Sequence, residues 1–284
     1  MKTIDTLIKD IYGVVEASGG WSSIIHSDYL ARVDKAMSSR LGTHLDGKEY
    51  KPALRMSNIG KECERALWFD LHSKPTSFPS HLKIRFLMGD MVEELLLSLA
   101  EAAGHTVTGQ QDTMTAFGIK GHRDAVIDGV NVDVKSASTK NFKKFKEDKL
   151  ISDDPHGYMR QLSSYVYASK DDPLVTDKEG GAFLAMDMNT GELCLDYHNF
   201  KHELKEMEEV YTHKKAMVSL GEPPARTFEL EEKGKTGGYV LNKKCYFCQH
   251  KYSCEPTTVT YQYTGYQVHQ VHKGSVALKG EVVS

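Results

Sequence analysis

The sequence predicts an α/β chain with a central mixed β-sheet flanked by helices, and three observations carry that expectation. A long segment of helical periodicity, IRFLMGDMVEELLLSLAEAAG, precedes a group of short strands. Two alternating apolar segments, AVI and NVDV, are split by the turn pair Asp128-Gly129. Further along, helix-type and strand-type segments alternate instead of falling into separate blocks, as when helices cover the faces of a sheet.

Each element has its own local reason. Residues 1–54 read as an N-terminal helical segment, with helices around LIKDIYGVVEA and DYLARVDKAMSSRL and a break at Ser18-Gly19-Gly20. The next helix is expected over 84–103, where Ile84, Met88, Met91, Leu95 and Leu99 form an apolar stripe and Gly104 is placed to cap the C-terminus. Strands are expected near 106–117, 121–128 and 131–137, the last two joined as a hairpin because Asp-Gly suits a two-residue turn. A helix over 156–169, a strand pair over 181–198 about Asn189-Thr190-Gly191, and a helix over 199–219 follow. Residues 55–254 are expected to form the core, and 255–284, which alternate like strands, an appended hairpin or tail.

Composition narrows the class. The 284 residues are 40% hydrophobic, which suits a chain with a sizeable packed core. The net charge of −3 excludes a bulk polycation, so any nucleic-acid contact must be local. Lys140-Asn-Phe-Lys-Lys-Phe-Lys146 is the candidate patch, with Lys140, Lys143 and Lys144 as expected phosphate contacts. No run is apolar and long enough to span a membrane, and Met1 to Ile11 carries Asp5 and Asp10, unlike a signal peptide. A reducing, cytoplasmic setting is expected.

The chemistry concentrates in Gly121–Lys135, GHRDAVIDGVNVDVK. Asp124 is followed nine residues later by Asp133-Val134-Lys135 on the next expected strand, so the hairpin can bring both carboxylates to one end. Two acids and a lysine suit phosphodiester hydrolysis. Oxygen ligands favour Mg²⁺ or Mn²⁺, and a lysine can orient water or hold phosphate. Upstream, Glu93 stands one helical turn from Gly89, which leaves room for a metal, a water or a backbone to approach it. Downstream, Tyr158, Gln161 and Tyr165 share one helical face, a polar-aromatic strip suited to nucleic acid or, in the plainer reading, a core tyrosine pair.

In this order the motifs resemble the PD-(D/E)xK nuclease superfamily, and within it the RecB-like exonucleases. The residues that carry the likeness are Gly89 with Glu93, Gly121-His-Arg-Asp124, Asp133-Val-Lys135 and Gln161-Leu-Ser-Ser-Tyr165; many members have His where Glu93 stands. The resemblance implies a restriction-endonuclease-like core. Glu93, Asp124, Asp133 and the Val134 carbonyl would hold one or two Mg²⁺ or Mn²⁺ ions, Lys135 would position the attacking water, and Gln161 with Tyr165 would anchor the DNA strand. His122 shares the face of Asp124 by strand alternation and reads equally as a supporting or a surface histidine.

The cysteines form an independent line. Cys245, Cys248 and Cys254 make a C-x₂-C-x₅-C pattern that can wrap a metal or cluster, and nothing around it suggests a secreted disulfide framework. The family resemblance supplies Cys63, followed by Arg65, Trp68 and Phe69, as a fourth ligand, with Ser219–Phe228 leading into the last three. On that resemblance the four hold a [4Fe–4S] cluster that staples two distant segments; zinc is the competing occupant. Cys194, between Leu193 and Leu195, reads as a strand cysteine.

The implied activity is a metal-dependent DNA exonuclease acting on ends or single strands, in phage or bacterial recombination, replication or repair. A CRISPR-adaptation nuclease, a restriction endonuclease and a non-catalytic DNA-end-binding module are the rival readings.

Overall fold

A computed structural model describes residues 2–17, 23–45, 52–73, 80–233, 238–263 and 266–271. In chain order the helices are α1 Leu7–Glu16, α2 Ser23–Leu45, α3 Glu64–His72, α4 Ser80–Ala102, α5 Thr139–Lys146, α6 Tyr158–Ala168, α7 Glu203–Val218 and α8 Lys251–Cys254. The strands are β1 Val107–Thr108, β2 Thr113–Ala116, β3 Ile119–His122, β4 Ala125–Ile127, β5 Val130–Ala137, β6 Gly180–Asp187, β7 Leu193–Asn199, β8 Glu231–Lys233, β9 Gly238–Val240, β10 Thr258–Tyr263 and β11 Tyr266–Val271. The expected break at Ser18-Gly19-Gly20 and the end of the chain from 272 lie outside the described residues.

The chain packs as two compact units, Met1–Gly60 with Pro75–His213, and Lys61–Lys74 with Lys214–Ser284. This differs from the expected division at 54 and 254. Helices α1 and α2 belong with the first unit because they pack on α4: Arg32 of α2 reaches Glu94 at 2.9 Å and Glu101 at 3.2 Å. The cysteine segments and the C-terminal strands form the second unit.

The first unit is a mixed sheet with helices on both faces. Its strand order is β1-β4-β5-β6-β7, with β5 and β6 parallel and the other pairs antiparallel. One face packs Leu7 and Ile11 of α1 and Leu96 and Leu97 of α4 against Val132 and Leu184. The other packs Phe142 and Phe145 of α5 and Leu162 and Val166 of α6 against Phe183. Because side chains alternate along a strand, Val130, Val132 and Val134 of β5 fill the α4 side, which sends Asp133 and Lys135 to the α6 side.

The β4–β5 hairpin forms as its sequence requires. Ile127 pairs with Val130 across a two-residue turn in which Asp128 (φ 51°) and Gly129 (φ 84°) are both left-handed. Asp128 is held there by His105 Nδ1 at 2.6 Å and the Thr106 N–H at 3.0 Å. On α4, the expected apolar stripe is only partly covered: Leu99 is buried and Met91 and Leu95 are half-buried, whereas Ile84 and Met88 are 62% and 42% exposed. The face that meets the sheet is shifted by one residue, to Val92 and Leu96, which are buried in its core.

A separate β2–β3 hairpin packs on Met56, Ile59, Tyr165, Met207 and Tyr211. Gly121 is required there by close approach: a Cβ would sit 2.7 Å from Met56 Cβ and 2.9 Å from the Tyr165 ring. Just after it, Arg123 is 1% exposed and clamps two loops, with Nη1 on Asp172 at 2.6 Å, and on the β1–β2 connection Nη2 on Asp112 at 2.7 Å and Nε donating to the Gly109 carbonyl at 3.1 Å. Arg123→Ala is expected to lower the unfolding free energy by about 3 kcal/mol, read as a drop in the urea midpoint, because it strips two carboxylates of their buried partner.

The second unit carries an antiparallel sheet in the order β10-β11-β9-β8, with Leu241 and Val271 buried in it. The strand-like character of the C-terminal segment is thus a real hairpin, β10–β11.

Candidate functional site

The acidic motifs meet where β4 begins alongside β5. Pairing between the two strands stops at Ala125 and Val132, so the backbone of β5 from Asp133 onward is released on that side. Asp124, one residue before β4, takes over: its Oδ2 accepts the Val134 N–H at 2.7 Å. The N–H and C=O of one residue in an extended strand point the same way. The Val134 carbonyl therefore faces the Asp124 side, where the expected ligand should be.

Asp133 is almost fully buried and carries two partners, Lys135 Nζ in a close ion pair and Gln161 Nε2 at 3.2 Å. Lys135 also lies over the Tyr158 ring, 4.6 Å from its centre. Glu93 reaches the same region from α4, where Gln111 Nε2 donates to its Oε1 at 2.6 Å.

Burial and mutual repulsion define the electrostatics. Burial pushes the Asp124 carboxyl well above the usual range, and the charges of Asp133 and Glu93 push it further. Glu93 is raised to about 7, chiefly by burial and then, against the Gln111 hydrogen bond, by Glu94, Asp90 and Asp133. Burial would lower Lys135, but Asp133 and Asp124 outweigh it and hold the ammonium at about 12. Crowded hard oxygen donors in a buried setting fit a divalent cation of the Mg²⁺ or Mn²⁺ type, which would relieve their repulsion. Their oxygens are not drawn into a tight cage, since no trio with one oxygen from each of Glu93, Asp124 and Asp133 falls within 4.8 Å.

Several expected site residues have different surroundings. Tyr165 is only 2% exposed and sits in the core, and the Gln161 side chain donates to its hydroxyl at 3.3 Å and to Asp133. The α6 strip therefore faces inward and holds a carboxylate in place, instead of presenting stacking surfaces to bases. Tyr158 is likewise half-buried, stacked on Phe145. On α5 the two phenylalanines are core residues, and Lys144 pairs with Asp153 at 2.8 Å. Lys140 and Lys143 remain exposed. Gly89 has no tight neighbour, since a Cβ there would meet only Ser136 Oγ at 3.7 Å. His122 is exposed, because β3 ends there and Arg123 turns inward before Asp124.

Gln111 was not apparent from the sequence. It adopts φ 55° and ties the site together, its N–H on the Asp124 carbonyl at 3.2 Å and its amide on Glu93. The signal available was the polar run before β2, which has no periodicity of its own.

In the second unit, Cys63, Cys245, Cys248 and Cys254 line one pocket together with Phe69, Phe228 and Leu241. Cys63 caps α3, its Sγ accepting the Ala66 N–H at 3.4 Å. Arg65 Nε stands 3.2 Å from Cys254 Sγ, and Arg65 Nη1 holds the carbonyls of Pro223 and Pro224 at 3.3 and 2.7 Å. Asp70 takes His250 Nε2 at 2.7 Å, which ties α3 to the cysteine loop. Burial raises the Cys245 thiol to about 11, with Cys248, Cys63 and Cys254 adding to it. Such a donor set suits a cationic group that stabilises four thiolates. Cys194 lies apart from them on β7, half-buried, as expected.

No family model matches the chain, and no curated protein matches it. Solved structures with some likeness include one titled crystal structure of SSO0001, 15% identical with a TM-score of 0.40 over 78% of this chain and 94% of that one. Another is LHK-Exo in complex with dAMP, an exonuclease structure, 12% identical with a TM-score of 0.37 over 65% and 92%. At these values neither likeness decides what this chain does. No helix among the described residues is long and apolar enough to cross a membrane.

Proposed function

We propose that this chain is a metal-dependent deoxyribonuclease that hydrolyses DNA from its ends. The observation that carries the reading is the convergence of Glu93, Asp124 and Asp133, close enough that Asp133 helps raise the Glu93 pKa and both help raise that of Asp124, beside a lysine that stays charged. Glu93, Asp124, Asp133 and the Val134 carbonyl hold Mg²⁺ or Mn²⁺, which when bound neutralises phosphate charge and makes water more acidic.

The chain's own groups then divide the work. Lys135 keeps its proton at neutral pH, so it serves as a cation that orients water or phosphate and not as the general base. Gln161 and Tyr165 act as positioning residues: the amide fixes one Asp133 oxygen while Lys135 takes the other. Gln111 does the same for Glu93. Lys140 and Lys143 on α5 are the exposed cations left for the DNA backbone.

The four cysteines hold a [4Fe–4S] cluster within the second unit. The cluster is preferred to zinc because the one-plus-three order of the cysteines, Cys63 before the acidic motifs and Cys245, Cys248 and Cys254 after them, follows the family resemblance.

End dependence is supported by the order of the motifs through Gln161 and Tyr165, and it is directly testable. End-labelled linear DNA is expected to be degraded only with Mg²⁺ or Mn²⁺, while covalently closed circles survive. Discrete fragments from closed circles would establish an endonuclease instead. Binding to ends without metal-dependent loss of DNA would establish a non-catalytic module.

A further inference from the structure

Outside the acidic site, the first unit contains one compact trio of metal-type ligands among the described residues: Asp148, Asp196 and His198 offer one atom each within 4.8 Å of one another. We propose that these three side chains form a second divalent-cation site, of mixed imidazole and carboxylate character, at the far edge of the sheet.

The trio joins two separate segments. Asp148 follows α5 in a left-handed conformation, φ 53°, and is largely exposed. Asp196 and His198 are two residues apart on β7, so they share a face, and both are over nine-tenths buried. His198 stands between the two acids, Nε2 at 3.0 Å from Asp196 Oδ1 and Nδ1 at 3.9 Å from Asp148 Oδ1.

Two of these buried atoms lack what burial normally demands. Neither His198 Nε2 nor Asp196 Oδ2 makes a hydrogen bond. The 3.0 Å approach of Nε2 to Asp196 Oδ1 is thus off the line of an N–H bond, as when two ligands aim at a shared third point instead of at each other. A buried carboxylate oxygen and ring nitrogen without partners are costly, and coordination by a cation satisfies both. Among the described residues no lysine or arginine pairs with Asp148 or Asp196; their ionic neighbour is His198.

Hard carboxylates with one imidazole suit Mn²⁺ or Zn²⁺, and exposed Asp148 provides the route from solvent. The place is distinct from the acidic site. Asp196 pairs with Phe183, and Phe183 with Asp133, so the two acids lie two strands, or roughly 10 Å, apart with a phenylalanine between them. Edge-to-face packing of Phe183 on His198 closes the inner side. A cation here would pin the turn after α5 to the sheet edge.

The test is Mn²⁺ uptake by equilibrium dialysis, with thermal unfolding in parallel, on the full chain and on Asp148→Ala, Asp196→Asn and His198→Ala. Mn²⁺ is the probe because thiolates compete poorly for it, which leaves the four cysteines aside. Wild type is expected to bind one more equivalent than each variant, and Mn²⁺ is expected to raise its melting temperature by more than theirs. Asp148 is exposed, so Asp148→Ala keeps its fold and remains informative if a buried variant does not. Equal uptake and equal thermal shift in wild type and Asp148→Ala would overturn the site. The comparison counts a difference between proteins and so reads the same whether or not Glu93, Asp124 and Asp133 also bind metal.

Discussion

Asp133→Asn and Asp124→Asn are each expected to reduce DNA cleavage by about 10²-fold or more while leaving the fold in place. For Asp124→Asn the two halves of that result have one cause. Asp124 and Glu93 have folded-state pKa values above their ordinary range, so keeping them ionised at neutral pH works against folding. An uncharged isostere at Asp124 removes that repulsion and can still accept the Val134 N–H. Its melting temperature should match or exceed wild type, even as the charge needed to hold the cation is lost. Lys135→Ala should give a comparable loss of cleavage. The measurements are turnover of end-labelled DNA and thermal unfolding on the same preparations; wild-type turnover in two of the three variants would remove the site assignment.

Cys63→Ser is expected to have the largest structural effect. Protein prepared without oxygen should be brown and contain iron and sulfide, and each Ser variant at Cys63, Cys245, Cys248 or Cys254 should lose both, whereas Cys194→Ser changes neither. Binding at a structural metal centre of this kind is folding free energy, on the order of 10 kcal/mol. The small sheet of the second unit, with few buried apolar residues of its own, should therefore open when the centre is lost. Proteases would then cut first within Lys214–Ser284. Stoichiometric zinc without iron would replace the cluster with a metal ion, and unchanged stability of Cys63→Ser would discard the staple altogether.

Much of the sheet was legible because its signals are local. Asp128-Gly129 required a tight turn, Gly104 and Gly191 both take left-handed φ as turn and cap chemistry asks, and alternation placed the strands on either side. Local periodicity also showed that Tyr158, Gln161 and Tyr165 share a helix face. It could not show that this face points at Asp133, because that depends on how α6 packs across β5. The same limit explains Phe142 and Phe145, which look like part of a basic-aromatic strip and are core, and Lys144, whose acid partner is nine residues away. Arg123 carried a signal, a charge beside an apolar strand, but Asp112 and Asp172 stand 11 and 49 residues from it and share no spacing rule.

The division of the chain has a consequence for how the protein is made. Cys63 leaves the ribosome 182 residues before Cys245 (245 minus 63), and everything from Pro75 to His213 is synthesised between them. At ordinary elongation rates that is a delay of roughly 10 to 40 s. During that interval the acidic half of the molecule has every segment it needs to fold, while Cys63 waits as a lone thiol without its partners. Maturation is thus ordered in time: the first unit can assemble on the nascent chain, and the cysteine centre can be filled only once Cys254 has emerged.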